Sequence, residues 1–149
     1  MDQEQKAVLL CEEYRRSGYA CSESVARALA DVFCLSFSAE TYKVISVFAG
    51  GAAEDGRCGV LEAGLLVMAN LYTLGKIRPG QSLEELSIEL HGKFQERYGS
   101  YLCSGIFYPL YETHQKSGEK EEDFSCAFHE GISIITRFLI TKLTERKRQ

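Results

Sequence analysis

Apolar residues recur along this chain at intervals of three and four, and no stretch sustains the one-in-two alternation of a half-buried strand. The pattern predicts an all-α fold. Six helical stretches and one shorter, broken piece can be read from it. The first covers about 3–16, with Ala7, Leu10, Cys11 and Tyr14 on one face and Gly18 as its stop. The next two span about 21–33 and 38–48, and Gly50-Gly51 interrupts the pattern after them. A fourth, about 60–74, is apolar nearly all round, which marks a central core helix. It is shorter than a membrane span needs and carries Glu62, so no membrane role is expected. Pro79-Gly80 reads as a turn, and Ser82-Leu83-Glu84-Glu85 as a capping box that opens a fifth helix closed by Gly99. Its inward stripe is Leu83, Leu86, Leu90, Phe94 and Tyr98. A shorter piece over about 100–111 is expected to break at Pro109, and 117–122 to be a charged loop. The last helix should run from Asp123 to near the end, along Phe124, Phe128, Ile132, Ile135 and Leu139.

No repeat, linker or low-complexity segment divides the chain, so residues 1–149 read as a single-domain bundle of about five or six helices. That length buries a core without disulfide staples. The start, Met1-Asp2-Gln3-Glu4-Gln5-Lys6, has no basic region followed by an apolar one, so a cytoplasmic protein is expected. Thiols are kept reduced there, and six cysteines then point to metal binding, redox cycling or plain burial. A net charge of −4 without a basic face argues against nucleic acid as a partner. The one basic cluster, Arg146-Lys147-Arg148, suits a solvated helix end.

Cys21, Cys58, Cys103 and Cys126 are spread over nearly the whole chain. Three of them stand three residues after a residue suited to cap a helix: Asp55 before Cys58, Ser100 before Cys103, Asp123 before Cys126. That spacing would put the sulfurs in first turns, where the positive end of the helix favours a thiolate. Asp31 and Cys34 share the interval at a helix end, so the spacing alone does not select a site. No two cysteines are two residues apart, which excludes the local signatures of zinc ribbons, thioredoxin-like sites and bacterial ferredoxins. Any shared site must be built by tertiary folding.

Gly51 to Gly56 has the interval of a phosphate loop, but Arg57-Cys58 replaces Lys-Ser/Thr and no strand precedes it, so nucleotide binding is rejected. The glycines fit a tight turn and a close approach, either to a helix or to a sulfur-ligated cofactor. Glu54 and Asp55 read as loop charges. Among the histidines, His91 lies on the fifth helix and His114 in a loop, while His129 follows Cys126 by one helical turn and makes a Cys126/His129 metal pair the lesser reading beside an ordinary histidine.

These residues carry a resemblance to the family named for its cysteine pattern, C-GCAxxG-C-C, to which a redox role is ascribed. Gly18-Tyr19-Ala20-Cys21-Ser22-Glu23-Ser24-Val25 is similar to its first motif, and Phe48 through Gly59 to its glycine segment ending in Cys-Gly. Phe94 through Cys103 resembles its Phe-Gly-Ser-x-x-Cys stretch, and Cys126 supplies the last cysteine. Ala20 stands where the family has Asn, and Ala63-Gly64 inverts its Gly-Ala order. The resemblance implies an all-helical domain in which Cys21, Cys58, Cys103 and Cys126 serve a redox or metal role. The favoured expectation is an iron–sulfur cluster held by all four, for electron transfer with a redox partner protein or as accessory to a larger redox system, with a homodimer suited to the apolar helices. The alternatives are a thiol–disulfide oxidoreductase in which Cys58 attacks, a structural zinc site made of the four cysteines, or no cofactor. Cys11 and Cys34 match no motif position.

Overall fold

A computed structural model describes residues 1–77 and 80–147, with side chains described through 143. The proline of the expected Pro79-Gly80 turn and the side chains of the basic tail Arg146-Lys147-Arg148 lie outside the described residues. Among the described residues seven α-helices form: α1 (Gln3–Arg16), α2 (Cys21–Val32), α3 (Ala39–Ser46), α4 (Gly59–Thr73), α5 (Leu83–Tyr98), α6 (Cys103–Ser117) and α7 (Phe128–Lys147). An irregular turn, Gly51–Asp55, precedes α4, and a single 3-10 turn, Glu121–Asp123, precedes α7. Among the described residues the only β pairing is one isolated antiparallel bridge, Arg57 with Leu102. The all-α expectation holds, with one more helix than the six expected.

Local chemistry explains most of the boundaries. Asp2 starts α1 by accepting from the Gln5 amide while the Gln5 side chain returns to the Asp2 amide, a complete capping box. Ser38 caps α3 through the Thr41 amide, and Ser82 caps α5 through the Glu85 amide. Gly99 closes α5 in the left-handed region at φ 72°. Each helix then buries its apolar stripe. Ala7 and Cys11 of α1, Val25 and Leu29 of α2, Leu61, Val67, Met68 and Leu71 of α4, Leu86, Leu90 and Phe94 of α5, and Ile132, Ile135 and Leu139 of α7 make one core. The helix α4 lies at its centre, as its all-round apolar surface predicts. Gly64 lets it approach α7: a Cβ there would stand 2.7 Å from Ile135 Cδ1.

Surface pairs fix the directions. Glu4 and Glu12 of α1 meet Arg137 and His129 of α7, so these two helices are antiparallel. Glu89 and Arg97 of α5 meet Lys142 and Glu130, which makes α5 antiparallel to α7 as well. The bundle therefore has two poles. One gathers the N-termini of α2, α4, α6 and α7 with the C-termini of α1 and α5.

Two expectations fail. Pro109 does not break its helix, because Ile106, Leu110 and His114, spaced by four, all pack inward and hold one face through the lost hydrogen bond. His114 accordingly sits on α6 and is buried, with Nε2 2.9 Å from the Lys120 carbonyl, and is not in a loop. The last helix begins at Phe128 and not at Asp123. Phe124 is instead extended and packs its ring against Phe107, Tyr111 and His114, so tertiary aromatic packing overrides helix propensity there. No helix among the described residues is long and apolar enough to cross a membrane.

Candidate functional site

The four spread cysteines stand at the starts of four helices. Cys21 is the first residue of α2, Cys58 immediately precedes α4, Cys103 is the first residue of α6, and Cys126 lies two residues before α7. The placement near helix N-termini agrees with the sequence reading, but the capping residues it chose do not serve these helices in that way. The positions before the first turns are Ala20, Cys58 and Leu102, none of which makes a side-chain cap. Asp123 belongs to the 3-10 turn.

Asp55 has another task. Its carboxylate accepts from the Ser104 amide at 2.9 Å, so it caps α6 from 49 residues away in sequence. The same turn is sterically fitted to Cys103. A Cβ on Gly51 would stand 2.9 Å from the Cys103 Cβ and 2.8 Å from the Gly56 nitrogen. Gly50, Gly51, Ala52 and Ala53 follow one another at φ 66°, 69°, 57° and 62°, and Asp55 adds φ 52°. For the alanines this conformation costs about 1–2 kcal/mol per residue. The turn is held by hydrogen bonds to α6 and the segment before it: the Cys103 amide donates to the Gly56 carbonyl at 2.9 Å and the Cys58 amide to the Tyr101 carbonyl at 2.8 Å. Side chains alternate across an extended pair, so Cys58 and Cys103 share one face of this bridge, and Arg57 and Leu102 take the other. Their exposures agree: Cys58 is buried and Cys103 half-buried, while Arg57 and Leu102 are exposed.

Electrostatics ties the remaining sulfurs in. All six cysteines are free thiols. Burial pushes the Cys58 thiol up to about 12, against the pull of the Leu61 and Val60 amides, and charge on Cys21 or Cys126 raises it further. The two amides face the sulfur without forming a cap hydrogen bond. Burial also raises Cys103, with Cys21 and Asp55 adding to it. Cys126 is raised by burial too, the Ala127 amide and Arg15 opposing and Cys21 and Cys103 adding. Cys21 is thus within electrostatic reach of the other three. Cys11, which the sequence reading set aside, also feels Cys21; it is 1% exposed and its thiol is pushed up to about 12, first by burial. Cys34 is exposed past the end of α2, at the opposite pole.

The Cys126/His129 pair does not form as one helical turn, since Cys126 lies outside α7 and His129 Nε2 is 3.0 Å from Glu12 Oε1. No group of three or more His, Cys, Asp or Glu side chains among the described residues is arranged to hold a metal ion. The four thiols are soft donors of the kind a sulfur-ligated centre uses, gathered at one pole but not arranged as a closed site.

Fold and site together define a helical protein whose cysteine chemistry is assembled at one pole of a bundle. The chain matches the family described as "Putative redox-active protein (C_GCAxxG_C_C)" over residues 19–131 and belongs to that family. The matched span contains Cys21, Cys58, Cys103 and Cys126 and excludes Cys11. No curated protein and no solved structure matches the chain.

Proposed function

We propose that Cys21, Cys58, Cys103 and Cys126 bind an iron–sulfur cluster and that the protein exchanges electrons with a redox partner protein or serves as accessory to a larger redox system. The observation that carries this reading is the gathering of four helix N-termini, each with one of these cysteines, at one pole. Such a pole offers four soft donors, and the positive ends of the helices favour the negative charge that thiolate ligands bring. When bound, the cluster would supply a one-electron centre. The chain's own part is to give up thiol protons as the sulfurs ligate, to shield the centre with Cys58 at 5% exposure, and to aim the Val60, Leu61 and Ala127 amides at sulfur.

The same facts weigh against Cys58 as an attacking thiol. With its thiol at about 12, only about one part in 10^5 would be thiolate at neutral pH. It is also too buried to meet a protein disulfide.

Anaerobic purification, or reconstitution with iron(II) and sulfide, followed by visible spectroscopy and counts of iron, sulfide and zinc per chain, tests the proposal. Stoichiometric iron and sulfide with sulfur-to-iron charge-transfer bands are expected. Colourless protein with one zinc per chain would overturn it in favour of a structural four-cysteine zinc site. Metal-free protein with disulfide reductase activity would overturn it in favour of a thiol enzyme.

A further inference from the structure

One polar group at the cysteine pole has no partner. The Tyr98 hydroxyl, at the end of α5, is buried and makes no hydrogen bond. A phenol O–H left this way costs free energy, so a native fold normally supplies an acceptor. The surroundings narrow the choice. Tyr98 lines an open cavity of about 290 Å³ together with Leu110, Ser125, Cys126, His129 and Glu130. Its hydroxyl lies within electrostatic reach of Glu130, Cys58 and Cys126. Glu130 is already occupied: Arg97 Nε donates to Oε1 and Nη2 to Oε2, both at 2.5 Å. His129 is turned to Glu12, Leu110 offers nothing polar, and Ser125, the other hydroxyl of the lining, makes no hydrogen bond to Tyr98. The ring itself is fixed, with Phe94 at 5.7 Å between centroids and the Arg97 guanidinium 4.9 Å above its own face. A phenol held by packing and lacking an acceptor is preorganised to donate.

We propose that Tyr98 donates a hydrogen bond to the sulfur-ligated centre on the side of Cys58 and Cys126, and so sets its reduction potential. The assignment rests on the cluster reading above. A donor to thiolate or sulfide stabilises the more negative, reduced state, so the native hydroxyl raises the potential.

The test uses the full-length wild type and Tyr98→Phe, each reconstituted with iron(II) and sulfide, in a dye-equilibrated redox titration. The variant should carry the same iron per chain, titrate at a lower midpoint potential and show a displaced charge-transfer band. In the metal-free state it should melt at the wild-type temperature or above, because the fold offers the hydroxyl no partner to lose. A folded variant that no longer retains iron supports the same contact. An unchanged midpoint and spectrum at full iron loading overturn it and leave an ordered water in the cavity as the acceptor. A metal-free variant that melts lower, or fails to fold, also overturns it by showing that the hydroxyl serves the fold. Wild type that binds no iron overturns the cluster reading itself, and is told apart because it fails before the variant is compared.

Discussion

The two poles of the bundle start their helices by opposite means. At the far pole α1, α3 and α5 each begin with an oxygen-bearing side chain, Asp2, Ser38 or Ser82, that takes up a first-turn amide. At the cysteine pole α2, α4 and α6 have no such cap of their own, and α6 borrows Asp55. Strain is distributed the same way. Ala52, Ala53 and Asp55 in the left-handed region and the unpartnered Tyr98 hydroxyl lie at the cysteine pole, with Cys34, at φ 56°, the exception at the far one. Local rules are mostly satisfied where only folding is at stake and mostly broken where sulfurs gather, which is the distribution expected of a functional end on a stable frame.

Replacing cysteines breaks this contrast most sharply. Any one of Cys21, Cys58, Cys103 or Cys126 changed to Ser should lower retained iron by at least about tenfold, whereas Cys34→Ser at the opposite pole should leave it unchanged, as measured by iron content after gel filtration. Gly59→Ala comes next. Its Cβ would stand 2.8 Å from the Phe48 carbonyl and 3.1 Å from the Ala49 Cα, both backbone, so a loss of about 2–3 kcal/mol in denaturant unfolding is expected. Relieving the turn should act in the other direction: Ala53→Gly, at φ 62°, should raise stability by about 1 kcal/mol. Ser82→Ala should cost about 1 kcal/mol at the far pole, and Ala20→Asn, which supplies the cap α2 lacks, should gain up to about the same.

Alkali offers a subtler probe of burial. The fold holds the Cys11 and Cys58 protons more tightly than the open chain does. Their contribution is therefore complete below the ordinary value of 9.0 and is lost as pH climbs toward about 12, so metal-free protein should weaken over that window. The alkaline limb of a pH–stability curve, read by denaturant unfolding, checks this.

The far pole was legible in sequence because its signals are local. The capping residues of α1, α3 and α5 and the apolar stripes behind them lie within a few positions of one another, and those helices start within a residue or two of expectation. The cysteine pole depends on partners far apart. Nothing near Asp55 announces that it caps a helix beginning 48 positions later, and the bridge between Arg57 and Leu102 joins residues 45 apart. Pro109 and Phe124 misled for the same reason, since packing from other helices decided both. Tyr98 was visible only as the last member of an apolar stripe. An aromatic carrying a hydroxyl at the end of such a stripe is the one hint that its tip meets something polar. The Gly18–Cys21, Phe48–Gly59 and Phe94–Cys103 motifs did identify the pole, by family resemblance and not by geometry.

The wide spread of the four thiols also sets a timetable. Until α7 forms, the helix that braces α1, α4 and α5 is absent and Cys126, just before it, has no completed pole to join. All four sulfurs precede α7 in the chain, but the pole that gathers them is incomplete without it. A centre held by all four cysteines would therefore need α7 in place before its last ligand reaches the pole. The approach to such a centre would lie past Cys21, Cys103 and Cys126, which keep partial access to solvent, with Cys58 the innermost sulfur.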